Sequence, residues 1–106
     1  MSSAVTTHVL DAAAGVPAAG VPVRLEASGG SLLAAGVTDA DGRLKDLGPA
    51  ELPAGVYRLI FDTGAYHGPD AFYPEVVVCF RVAAPGVHHH VPVLLSPFAY
   101  STYRGS

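Results

Sequence analysis

Apolar residues recur along the chain in short runs, and within several runs they alternate with polar ones. The alternation is clearest over 21–28, where Val21, Val23, Leu25 and Ala27 face one way and Pro22, Arg24 and Glu26 the other. A period of two is the mark of a half-buried strand. Runs rich in Val, Leu, Phe and Tyr, residues that suit a pleated surface, predict strands near 4–11, 21–28, 31–38, 55–62, 75–83, 88–95 and 98–103. Nine Pro and twelve Gly interrupt any long helix, so the one helical turn expected is Asp62–His67, which opens on a good N-cap residue. Asp39-Ala40-Asp41-Gly42 is a strong turn. Ala84-Pro85-Gly86 is expected to join two long strands as a hairpin, and Ser96-Pro97 to break the chain before a final short strand. Short strands with regular punctuation predict an all-β sandwich or barrel. No repeat or linker divides it, so one domain is expected over 1–106.

Composition narrows the function. Half of the 106 residues are apolar and 14% are charged, enough for one core. The net charge is −3, with no basic cluster. That excludes nucleic acid as the expected partner and offers no handle for an anionic membrane surface; no apolar run has spanning length. Cys79 is the lone cysteine, so no intrachain disulfide forms and a reducing compartment is the simpler reading. The start has neither the charged nor the apolar region of a secretion signal, and a cytoplasmic location is expected.

Five histidines are the first lead to chemistry, since imidazole titrates near neutrality. In a strand His88 and His90 share a face, while His89 turns to the face of Val91, Val93 and Leu95, which read as core. His8 likewise shares a face with Thr6 and Leu10, opposite Val5, Thr7 and Val9. For His67 and His89 the plain reading, a solvated strand residue, is preferred, and His88 is left open.

The surroundings of His8 and His90 carry a resemblance. Thr7-His8-Val9-Leu10-Asp11, Thr38-Asp39-Ala40-Asp41-Gly42-Arg43, Gly55-Val56-Tyr57-Arg58-Leu59, Phe61 to Tyr66 and Phe72-Tyr73-Pro74-Glu75-Val76 occur in that order. They are followed by His90-Val91-Pro92-Val93-Leu94-Leu95-Ser96-Pro97-Phe98 and Tyr100 to Ser106. This pattern resembles the transthyretin-like 5-hydroxyisourate hydrolases from His8 to the last residue. Transthyretin, the related hormone carrier, shares the Leu-Leu-Ser-Pro segment but lacks the His and Arg set and the Tyr-Arg-Gly-Ser ending. Two departures from the hydrolase pattern are small: His89 stands where an aromatic residue is common, and Val93 replaces a frequent Leu.

The resemblance implies a sandwich of two four-stranded antiparallel sheets with one short helix. It also implies a homotetramer around a central channel, with sites at the dimer–dimer interface. The face of His8, Leu10, His90, Pro92 and Leu94 would line that channel. The implied reaction is hydrolysis of 5-hydroxyisourate to 2-oxo-4-hydroxy-4-carboxy-5-ureidoimidazoline in urate degradation, with no metal and no cofactor. His8 is assigned as the water-activating base and His90 as its partner in proton transfer, with the roles exchangeable. Arg43 polarises the carbonyl and holds the purine-derived oxygens, and repulsion from Arg43 and Arg104 favours neutral imidazole. By the same resemblance Tyr103 would contact substrate, Arg104 would bind or orient it, Ser106 would offer hydroxyl and carboxylate, and Gly105 would let the backbone turn into the site. Two rivals stand beside this reading: a zinc hydrolase using His8, His88 and His90, and a non-catalytic carrier of small aromatic ligands.

Overall fold

Each alternating run becomes a strand whose apolar side meets the apolar side of another sheet. The computed structural model describes residues 3–106; positions 1 and 2 of the domain expected over 1–106 lie outside the described residues. Among the described residues the order is β1 (Val5–Asp11), β2 (Val16–Pro17), β3 (Pro22–Ala27), β4 (Leu32–Val37), β5 (Arg43–Leu44), β6 (Gly55–Phe61), α1 (Thr63–His67), β7 (Val76–Val82), β8 (His89–Ser96) and β9 (Ala99–Thr102). One sheet runs β2-β1-β8-β9, with β5 also on β1; the other runs β4-β3-β6-β7. Val5, Val9, Val91, Val93 and Leu95 of the first sheet pack in one core with Val23, Leu25, Leu59, Phe61, Val76 and Val82 of the second. Burying one such side chain is worth roughly 1.5–3 kcal/mol, so this layer holds the sheets together.

The sandwich and its single short helix are as expected, with differences in pairing. The second sheet is four-stranded and antiparallel throughout. The first has five strands, because β2 and β5 are two-residue strands too short to show a period. It also contains a parallel pair: β1 lies along β8 with Thr6 opposite His90, His8 opposite Pro92 and Leu10 opposite Leu94. Parallel neighbours need a long crossover, and here nearly the whole chain serves as one. The hairpin expected at Ala84-Pro85-Gly86 is not one. β7 pairs with β6 in one sheet, while β8 pairs with β1 and β9 in the other, so this segment carries the chain between sheets. β8 makes its hairpin with β9, closing at Ser96 and Ala99 around Pro97-Phe98.

Helix α1 is pinned at three points. Asp62 caps it by accepting from the Ala65 N–H at 3.1 Å, Thr63 donates to the Tyr73 carbonyl, and the Tyr66 hydroxyl donates to Asp11 Oδ2 at 2.6 Å. Asp11 Oδ1 also accepts from the Ala13 and Ala14 N–H groups. The Tyr66 bond, then those of the backbone, hold the Asp11 carboxyl below its ordinary pKa, and the same bond pushes Tyr66 up. No helix among the described residues is long and apolar enough to cross a membrane.

Candidate active site

The turn before β5 delivers Arg43. Asp39 Oδ1 accepts from the backbone N–H groups of Asp41 at 2.8 Å and Arg43 at 2.9 Å, so the turn winds about one carboxylate. The bond from Arg43, with that from Asp41, holds Asp39 below its ordinary pKa. Gly42 sits at φ +75°, and a Cβ there would strike the Val9 carbonyl oxygen; only glycine fits both demands. The Gly42 carbonyl in turn accepts from the Val9 N–H at 2.7 Å. The turn is thus clamped to β1, and Arg43 lies in register opposite His8.

The ring of His8 has a defined polarity. Its Nε2 stands 2.9 Å from the Asp41 carbonyl oxygen, and a carbonyl only accepts. Nε2 therefore carries the proton, and in the neutral ring Nδ1 holds the lone pair. On the adjacent strand His90 faces Thr6, whose hydroxyl lies 2.8 Å from His90 Nδ1 and 3.1 Å from His88 Nε2. With Nδ1 so engaged, Nε2 is the His90 nitrogen left for chemistry.

A cavity of about 270 Å³ opens over Arg43 and His90, lined by Thr6, Thr7, Arg43, Lys45, His88, His90 and Ser106. Its side chains include cations, hydroxyls and imidazoles but no carboxylate. His90 titrates below its ordinary 6.5, first because burial disfavours its charged form, then through repulsion by Arg43, His88 and His8; a hydrogen bond with Thr6 acts the other way. The imidazole is therefore kept neutral near pH 7, the form able to accept a proton.

The C-terminal residues divide between two places. Gly105 donates its N–H to the His90 carbonyl at 2.8 Å, an isolated antiparallel bridge. A Cβ at Gly105 would come 2.6 Å from His90 Cδ2, so the missing side chain lets the backbone lie against the imidazole. Ser106 then reaches the cavity. Tyr103 and Arg104 instead line a second, apolar cavity of about 310 Å³ with Val78, Phe80, Arg81, His89, Val91 and Thr102. Within one protomer the fold gathers His90, Arg43 and Ser106, with His8 alongside, and does not bring Tyr103 or Arg104 to them. Arg104 is accordingly absent from the charges that depress His90.

His67 and His89 differ from the plain reading, and His88, left open, finds a place beside the site. His89 is 7% exposed, packed 6.1 Å from the Phe80 ring with Nδ1 3.1 Å from the Val87 carbonyl; it sits on the core face and is not solvated. His67 lies on α1, half-buried, its ring edge-on to Tyr66 and its Nε2 buried without a partner. His88 is exposed and joins the site through Thr6. Thr6 and Lys45 were not singled out as site residues, although alternation had already put Thr6 on the face of His8. Among the described residues no three His, Cys, Asp or Glu side chains group as metal ligands.

Residues 5–105 match the model of the HIUase/Transthyretin family. A 5-hydroxyisourate hydrolase of Salmonella typhi is 46% identical, over 99% of this chain and 82% of its own. The solved structure of Klebsiella pneumoniae 5-hydroxyisourate hydrolase has a TM-score of 0.86 at 41% identity, covering 96% of this chain and 98% of its own. Sea bream transthyretin in complex with thyroxine gives 0.83 at 36% identity, covering 95% and 93%.

Proposed function

The chain belongs to the HIUase/Transthyretin family, and from that membership we propose that it is a hydrolase opening the cyclic amide of 5-hydroxyisourate in urate degradation. The observation that carries this reading is an imidazole held neutral, His90, in one cavity with a guanidinium, Arg43. Amide hydrolysis needs a base for water, a cation for the developing oxyanion and a proton for the leaving nitrogen. Either His8 Nδ1 or His90 Nε2 takes the water's proton and then passes it to the departing nitrogen, with the neighbouring imidazole as partner in the transfer. Arg43 holds the carbonyl oxygen as it gains charge. The product is 2-oxo-4-hydroxy-4-carboxy-5-ureidoimidazoline.

The same proposal includes a homotetramer with sites at the dimer–dimer interface. It is supported by Leu10 and Leu94, which flank an open, mostly apolar depression beside the site, and by edge strands β7 and β9, which pair on one side alone. Pro92, on the same face, is covered within the protomer. Tyr103 and Arg104 would reach substrate across such an interface and not within one copy. A cytoplasmic location belongs to the proposal too, in keeping with the free thiol of Cys79. No metal enters the proposed reaction: His8 and His90 engage a backbone carbonyl and a hydroxyl, and Arg43 would repel a divalent cation. Turnover is expected to survive exhaustive chelation, and loss restored by zinc would favour the zinc reading.

The test is to generate hydroxyisourate from urate with urate oxidase and follow its ultraviolet decay. Acceleration by the protein is expected, with His8→Ala, Arg43→Ala and His90→Ala each lowering kcat/KM by roughly 10²–10⁴-fold while remaining folded. Decay at the spontaneous rate with folded wild-type protein would overturn the reading in favour of a carrier, for which the apolar second cavity offers room.

A further inference from the structure

His90 lacks the carboxylate that commonly orients a catalytic imidazole. What its Nδ1 meets is the Thr6 hydroxyl at 2.8 Å, and 3.1 Å beyond the same oxygen lies His88 Nε2. Thr6 is only 8% exposed, whereas His88 stands in water. Two hydrogen bonds thus connect the cavity floor to solvent. A hydroxyl has one proton, so of the two ring nitrogens one donates to Thr6 and the other accepts from it. Both polarities satisfy the chain. In one, His90 Nε2 is a lone pair; in the other, it carries a hydrogen.

We propose that Thr6 and His88 form a proton relay that switches His90 between these two polarities during turnover. This rests on the hydrolytic reading of the site. At rest His90 Nδ1–H donates to Thr6 and the Thr6 O–H donates to His88 Nε2, leaving His90 Nε2 as the base. When Nε2 takes a proton from water, the Nδ1 proton passes to the Thr6 oxygen as the Thr6 proton passes to His88 Nε2. His90 is then neutral with its hydrogen on Nε2, and the positive charge resides on His88. As Nε2 releases that hydrogen to the leaving nitrogen, the two transfers run backwards and the resting state returns. No proton is gained or lost over the cycle.

Charge placement explains why such a relay is favoured. The groups facing His90 are Arg43 from β5, His8 from β1 and His88 from the segment before β8, with Lys45 on the cavity wall. These side chains are all cationic or neutral, so an imidazolium at His90 would be desolvated among like charges, with the Ser106 carboxylate on the cavity wall as the opposing group. The same charge on His88 is solvated. Thr6 acts through His90 and is a positioning residue; His88 is a proton carrier that need not touch substrate.

Two readouts separate the relay from the hydrolytic reading. In kinetics, Thr6→Val is expected to lower kcat by about 10²-fold with little change in KM, while Thr6→Ser stays within about threefold of wild type because it keeps the hydroxyl. His88→Ala is expected to lose about tenfold in weak buffer and to recover in imidazole buffer, a diffusible substitute carrier; Thr6→Val is not expected to recover. In ¹⁵N NMR without substrate, neutral His90 is expected to carry its hydrogen on Nδ1 in wild type and to lose that tautomer preference in Thr6→Val. Wild-type kcat in Thr6→Val, equal losses in the Ser and Val variants, or a wild-type His90 without the Nδ1–H preference would each overturn the relay. The Nδ1–H tautomer in a protein that leaves hydroxyisourate untouched would sink the hydrolase reading and keep the hydrogen-bonded chain.

Discussion

In the proposed reaction Arg43 would have two roles, and a single substitution tests both. Its charge is the second cause, after burial, of the low pKa of His90. For a base whose folded pKa is depressed, the neutral form persists as pH falls through 6.5 and is lost only at the lower folded value. The acid limb of kcat/KM is therefore expected below 6.5. Arg43→Gln is expected to move that limb up toward 6.5, though not fully since burial remains, and to lower the plateau by about 10²-fold through loss of the oxyanion contact. A limb that stays in place would show that His90 is not the titrating base. Stability follows the same sign: that contribution is complete above 6.5 and declines as pH falls toward the folded value. Gly105→Ala is a second check, because its methyl would press on the His90 ring; activity is expected to drop about tenfold or more with thermal unfolding nearly unchanged. At this scale alternation put His8 and His90 on defined strand faces, while Arg43 was reached only through the family resemblance. Thr6 was harder to see, since a threonine in a strand is ordinary until its partner strand is known.

The helix and its anchor carry predictions of their own. Tyr66→Phe removes a hydrogen bond to an ionised carboxylate, worth about 1.5–3 kcal/mol, and denaturant unfolding at pH 7 would measure it. Asp11 titrates below its ordinary value of 3.8, so the stability it contributes is present above 3.8 and fades as pH falls through the folded value. The gap between wild type and variant is expected to close there. Thr38 accepts from the Val21 N–H and donates to the Ala18 carbonyl, both buried; Thr38→Val strands both groups and is expected to remove about 1–3 kcal/mol. Strand positions were readable within a residue or two because burial on one face imposes the alternation. Pairing was not, as at Ala84–Gly86, because a period of two says which side of a strand is apolar and nothing about which strand lies next to it.

For the whole molecule, the division of the C-terminal residues is informative. The resemblance assigns Tyr103 and Arg104 to the substrate, but no pattern in one chain says from which copy they would act. If the proposed tetramer completes the site, sedimentation is expected to show it, and placing Arg at Leu94 should split the assembly and remove activity together. A monomer with full turnover would refute that arrangement. The parallel pairing of β1 with β8 has one more consequence. The two strands bearing the central histidines are the first long strand and the last but one, about 84 positions apart. During synthesis β1 waits without its neighbour until almost the entire polypeptide has emerged, and such remote closures are slow. Truncated fragments should therefore be inert, and recovery of turnover on refolding should report directly on completion of the native topology.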